Sequence, residues 1–249
     1  MQACRRMNTY SKAALKPVAA TPLAVAAALL VLVVATAALL QSLLGLGIEL
    51  VYRAAMLFAV LGAGVAWLAA RHLGRQDFGA ANRMTFLRAA LVVVLAACIG
   101  EAVRPGLAWC IIAMAILVLV LDGVDGRLAR RDGTVSAFGA RFDMEVDALL
   151  ILVLAILAWQ FDKAGAWVLA AGLMRYAFVL ASRPLAWLKH PLPYSRRRQG
   201  VCVLQIVSLL VCLAPFIPTP LSALAALCGV VGLAGSFAVD IAWLARHAR

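Results

Sequence analysis

Charge is scarce in this sequence. Asp, Glu, Lys and Arg together make up 14% of its 249 residues, the hydrophobic share is 65%, and the mean hydropathy is +0.99. A chain so composed cannot cover itself with a water-compatible surface, which excludes an ordinary soluble globular domain. Histidine is equally thin, with three residues, and the six cysteines are scattered without a CxxC pair or a histidine at ligand spacing. That argues against a zinc site and against a disulfide framework, so the cysteines, most of them inside apolar runs, read as packing residues. Internal repeats and Gly/Ser- or Pro-rich linkers are also missing.

Acids are scarcer than bases, 11 against 23, giving a net charge of +12. In a soluble chain this would suggest nucleic acid. Here the basic residues sit in short segments between long apolar runs, so the excess reads as membrane topology and no nucleic-acid partner is expected.

Long apolar runs, by contrast, are plentiful. Eight are candidates for the roughly 20-residue spans a bilayer requires: about 22 to 47, 50 to 70, 86 to 103, 106 to 121, 144 to 160, 164 to 182, 200 to 217 and 220 to 245. The first follows Arg5, Arg6, Lys12 and Lys16 but exceeds the roughly 7–15 apolar residues of a signal peptide, so it reads as a span. With a cytoplasmic N-terminus, Arg53, Arg104 and Lys163 fall outside and about 20 other basic residues fall inside, which orients the chain by the positive-inside rule. The expected fold is an all-α polytopic membrane helix bundle. The polar stretch Arg71 to Arg83 divides a two-helix extension, residues 1–70, from a six-helix core, residues 71–249. By composition that stretch reads equally as an interfacial amphipathic helix or as a basic loop.

Because acids are few, their clustering carries information. Asp122, Asp125, Asp132, Asp143, Glu145 and Asp147 fall together in a short part of the chain, between the end of the fourth run and the start of the fifth. Ionisable groups at the membrane mark functional sites by default. Asp122 and Asp125 are one helical turn apart, as are Asp143 and Asp147, so each pair shares a face and the two pairs can meet across the intervening loop. Glu145 lies about 200° from Asp143 and points elsewhere. Asp132, beside Gly133, reads as a turn residue. Four carboxylates converging without cations would repel strongly. Divalent metal resolves the conflict, and all-oxygen ligation selects Mg²⁺, Mn²⁺ or Ca²⁺ over zinc. Four carboxylates suffice for two ions about 3.5–4 Å apart, as in phosphoryl transfer. Arg127, Arg130 and Arg131 add phosphate-binding charge.

Asp122, Asp125, Gly126, Ala129, Arg130, Gly139, Asp143 and Asp147 together resemble the CDP-alcohol phosphotransferase signature D-x2-D-G-x2-A-R-x8-G-x3-D-x3-D, without a departure. Upstream, ANRMTFLR resembles the N-x2-T-x2-R sequence of the same family and places Asn82, Thr85 and Arg88 in register; downstream, PYSRRRQGVCVLQ resembles its basic segment more loosely. The resemblance implies a membrane enzyme of phospholipid synthesis with a two-metal Mg²⁺ or Mn²⁺ site at the cytoplasmic face of a bacterial inner membrane. It implies that an alcohol attacks the β-phosphorus of CDP-diacylglycerol and that CMP leaves. Asp122, Asp125, Asp143 and Asp147 would ligate metal, and Asp147 would also take the acceptor proton. Gly126, Ala129, Arg130 and Gly139, with Asn82, Thr85 and Arg88, would line the CDP site. A homodimer is expected.

Three other readings compete. An intramembrane carboxylate cluster also suits a polytopic transporter, although transport carboxylates usually lie near the bilayer midplane. A prenyl diphosphate transferase would need a second acidic motif, and no later acidic pair exists. A binding or scaffold role with a degenerate site is disfavoured, because all four aspartates are present. For the acceptor, Arg175 inside an apolar run and the Arg196, Arg197, Arg198 triplet exceed what topology needs. They point to an acceptor carrying its own phosphate, glycerol 3-phosphate or inositol phosphate, since Arg binds phosphate bidentately. Asp240 reads as an interfacial acid or an arginine partner.

Overall fold

The computed structural model describes the backbone of residues 21–73, 78–132, 137–190, 192–193 and 195–247, and their side chains apart from those of 73, 124–132, 137, 186 and 189. Each of the eight apolar runs is a helix: α1 (Pro22–Leu44), α2 (Glu49–Leu73), α3 (Ala80–Ala97), α4 (Pro105–Asp132), α5 (Ala137–Gln160), α6 (Ala170–Ala181), α7 (Arg196–Leu213) and α8 (Thr219–His247). A 3-10 turn, Ala166–Leu169, leads into α6. Local sequence sets the ends of α1. Thr21 accepts a hydrogen bond from the Ala24 amide at 3.3 Å, Pro22 supplies a first residue with φ already helical, and Gly45 closes the helix at φ 61°.

Five helices, α1 to α4 and α8, are long and apolar enough to cross a membrane by length and composition. The other three deviate for physical reasons. The α5 helix carries Asp143, Glu145 and Asp147, α7 opens on three arginines, and α6 is 12 residues long. The chain is an integral, multi-pass helix bundle.

Two of the boundaries that differ from expectation bear on the acids. The fourth helix does not end near residue 121 but continues through Gly126, Ala129 and Arg130 to Asp132, since the Arg-Leu-Ala-Arg-Arg stretch consists of good helix formers. Asp132 is therefore the last helical residue and not part of a loop. At the other side, α3 begins at Ala80, and Asn82, Thr85 and Arg88 are buried within it. The stretch 71–83 is shared between the end of α2 and the first turn of α3; residues 74–77 lie outside the described residues.

Packing places α3 at the centre, against α1, α2, α4 and α5. Phe86 on α3 is fully buried and is ringed by Phe58 of α2 at 5.6 Å, Phe78 at 6.1 Å and Phe142 of α5 at 6.1 Å between centroids. This aromatic chain joins the N-terminal helix pair to the start of α5, next to Asp143. At the opposite end of the bundle, Arg53 pairs with Glu101, and Arg104 donates to the Leu44 carbonyl at 2.9 Å. The N-terminal helices thus share one hydrophobic core with the rest of the chain.

Candidate metal and nucleotide site

Two helices that both pack against α3 deliver the acids. The last turns of α4 bring Asp122, and the second and third turns of α5 bring Asp143 and Asp147, which lie on one face because four residues make about one turn. One carboxylate oxygen from each of the three lies within 4.8 Å of the others. Oxygens on opposite sides of a divalent cation stand about 4–5 Å apart, so these three residues fit a hard cation without rearrangement of the helices. Asp125, one turn beyond Asp122, has its side chain outside the described residues, as do Gly126, Ala129, Arg130 and the arginines 127 and 131.

A cation of the chain itself is already present among the three acids. Arg88 of α3 reaches Asp122 at 2.8 Å and Asp147 at 2.5 Å, and it also pairs with Asp143. Its side chain is 1% exposed, whereas those of Asp122, Asp143 and Asp147 are 30%, 41% and 25% exposed. The guanidinium therefore approaches from inside the bundle, and the carboxylates remain open on the other side. The family resemblance implies a place for Arg88 at the nucleotide, and the sequence reading expected divalent metal among the carboxylates; in the structure this arginine lies on the acids themselves. Three carboxylates against one guanidinium still leave acid in excess, which preserves the case for a further cation.

The remaining expected residues divide into those near this cradle and those elsewhere. Asn82 and Thr85 lie on the same buried helix, two turns and one turn before Arg88, with the Thr85 hydroxyl donating to the Ala81 carbonyl at 3.2 Å. Gly139 lies half-buried in the first turn of α5. Arg175 of α6 pairs with Glu145 at 2.6 Å, on the side of α5 turned away from Asp143. Arg197 donates to the Ser236 carbonyl at 2.9 Å and hydroxyl at 2.8 Å, and pairs with Asp240 of α8 at 2.5 Å. Arg198 donates to the Pro193 carbonyl and stands 3.9 Å from Asp240. Asp240 is thus an arginine partner, and it offsets cations at a helix N-terminus, where the backbone dipole disfavours them. Arg196 is exposed.

Two residues on α7 escaped the sequence reading. The Cys202 thiol, taken there as packing, lies 4.0 Å from the Asp147 carboxylate. Gln205, one turn further along, is fully buried, and neither of its amide atoms has a hydrogen-bond partner among the described residues. The amide fills space left by Gly229 of α8, where a Cβ would come within 2.8 Å of Gln205 Oε1. The available signal was a lone glutamine within an apolar stretch, Val-Leu-Gln-Ile-Val, since polar groups at membrane depth are costly.

No protein of curated function and no solved structure matches the chain. The CDP-alcohol phosphatidyltransferase family matches residues 78–236, from the residue before Gly79 at the head of α3 to Ser236 on α8, and so takes in every acid of the cradle together with Arg88. With more than half of the sequence covered and the acidic signature lying within it, the chain belongs to the CDP-alcohol phosphatidyltransferase family.

Proposed function

We propose that this membrane transferase moves a phosphatidyl group from CDP-diacylglycerol to an alcohol acceptor and releases CMP, and that the acceptor carries its own phosphate. The observation that carries the reading is the convergence of Asp122, Asp143 and Asp147 at the ends of two helices within the family's matched region. Their position at one end of the bundle suits a lipid-anchored donor meeting a soluble acceptor. A transporter would place such acids nearer the middle of its helices.

In the proposed reaction, Asp122, Asp143 and Asp147, with Asp125, would hold Mg²⁺ or Mn²⁺ as a pair of ions. When bound, the metal neutralises charge on the diphosphate and on the departing CMP. Asp147, the most enclosed of the three carboxylates, accepts the proton of the acceptor hydroxyl. The hydroxyl oxygen forms a bond to the β-phosphorus, the bond from that phosphorus to the bridging oxygen breaks, and CMP carries the electron pair away. Gly126, Ala129, Arg130, Gly139, Asn82 and Thr85 line the nucleotide. The site faces the cytoplasm of a bacterial inner membrane, as the positive-inside distribution favours, and the protein works as a homodimer.

For the acceptor, Arg175 and Arg196 to Arg198 supply guanidinium groups suited to a phosphate, with glycerol 3-phosphate first and inositol phosphate second. Arg197 is engaged with Ser236 and Asp240, and Arg175 with Glu145, so the exposed Arg196 is the sharper probe. The test is to incubate purified protein with CDP-diacylglycerol, Mg²⁺ or Mn²⁺ and a panel of alcohols, following CMP and the lipid product. Release of CMP with a phosphorylated acceptor is expected. Preference for serine or another acceptor lacking phosphate would refute the acceptor assignment, and no release with any alcohol would refute the reaction.

A further inference from the structure

Arg88 raises a question that the transfer reaction alone does not answer. A guanidinium that is 1% exposed contacts Oδ1 of each of the three carboxylates that a divalent cation would share. A cation drawing on the same acids weakens their hold on the arginine, and the arginine weakens their hold on the cation. A buried arginine deprived of its acids would in turn be an uncompensated charge, which is strongly destabilising unless another anion takes their place.

Resting on the reading above, we propose that Arg88 is the resident counter-cation of the cradle. It competes with the divalent cation for Asp122, Asp143 and Asp147, and it turns to the diphosphate of the nucleotide donor when displaced. The arrangement has two consequences. The three acids, drawn from two helices, are held together before any ligand arrives, because the arginine offsets their mutual repulsion. Metal loading and diphosphate binding are also coupled through one side chain: each ligand makes room for the other, and by linkage the coupling is reciprocal. Arginine suits this exchange because its planar fork matches both carboxylate and phosphate oxygens.

The experiment uses the full chain in detergent and measures Mn²⁺ affinity without nucleotide, then CDP affinity at saturating Mn²⁺, for the wild type, R88Q and R88K. In R88Q, Mn²⁺ is expected to bind about tenfold tighter and CDP about tenfold weaker, a coupling of ordinary size. R88K keeps the charge but cannot fork across two carboxylates. The same two signs, at about threefold, are expected there, and this variant carries the test if R88Q does not fold. Simple structural damage would weaken both ligands, so the opposite signs are diagnostic. Unchanged or weaker Mn²⁺ binding in the folded variants, or CDP binding equal to that of the wild type, would overturn the exchange. CMP release is not read, so failure of the transfer reaction and failure of the Arg88 exchange are separate results.

Discussion

At the end of the bundle where α3, α5 and α7 begin, one guanidinium faces three carboxylates. At the end where α5 and α7 finish, the Lys163 ammonium faces three backbone carbonyls, those of Ala214 at 3.0 Å, Pro215 at 3.5 Å and Ile217 at 2.7 Å. Nearby, Arg53 donates to the Ile99 carbonyl at 2.5 Å and pairs with Glu101, while Gln160 accepts from the Gly100 amide at 2.7 Å and donates to the Glu101 carbonyl at 2.9 Å. Both ends bring charge into a bundle built mainly of apolar side chains. The second end uses it up: its cations complete the hydrogen bonding of chain ends that no helix satisfies. At the first end acid is in excess of its cation. The difference separates a polar group that finishes a fold from one held ready for a ligand.

The strongest way to break the comparison is to remove one of the surplus acids. In Asp147→Asn, CMP release is expected to fall about a thousandfold, the size of effect associated with loss of a proton acceptor. Thermal stability in detergent should fall little, because an overcrowded acid has been neutralised. EDTA treatment of the wild type is expected to have the same effect on rate. Full activity in either case would remove the acids from the chemistry.

At the satisfied end the effect should move from rate to stability. Lys163→Met keeps the length of the stem and removes all three hydrogen bonds to carbonyls, at an expected cost of about 2 kcal/mol in unfolding free energy. The rate per folded molecule is expected to be unchanged. A fall in that rate without loss of stability would show that this end also serves the reaction. Arg53→Gln is a milder probe of the same region, with an expected cost of about 1 kcal/mol, since Gln can retain one of the two contacts and the pair is partly exposed.

The sequence made one of these ends far more legible than the other. Eight apolar runs marked eight helices, and the spacing of Asp143 and Asp147 was enough to put them on one face. What hydropathy misplaced was the start of α3, expected near residue 86. Asn82 and Thr85 fall before the apolar run and Arg88 just inside it, yet all three are buried. A polar residue turned inward carries no local sign of its direction. The bridging role of Arg88 was hidden for a related reason: it depends on α3 packing against both α4 and α5, a long-range fact that helical spacing does not encode. Glu145 was readable from angle alone, since it points away from Asp143, but its partner Arg175 was not. Lys163 looked like a topology residue, because the carbonyls it binds lie about 50 residues further along the chain.

The smallest expected effect tests whether every unused polar group at the site end belongs with the surplus acids. Gln205 lies one turn from Cys202, whose thiol is 4.0 Å from Asp147, and its amide is sealed between α7 and α8 against Gly229. Unlike Asp122, Asp143 and Asp147, it has no opening to solvent, being 0% exposed. A buried amide without partners costs about 1–3 kcal/mol, and replacing it by an apolar group of similar size can recover part of that. Gln205→Leu is therefore expected to raise unfolding free energy by about 1 kcal/mol, read as a higher melting temperature in detergent. Gly229→Ala is expected to lower it, because the new Cβ would sit 2.8 Å from Gln205 Oε1 and 2.9 Å from the Ser208 Cβ. If Gln205→Leu instead lowers the melting temperature, the amide is satisfied in the working protein. It would then resemble Lys163 at the far end and not the acids beside it, a buried polar group whose hydrogen bonds finish the fold.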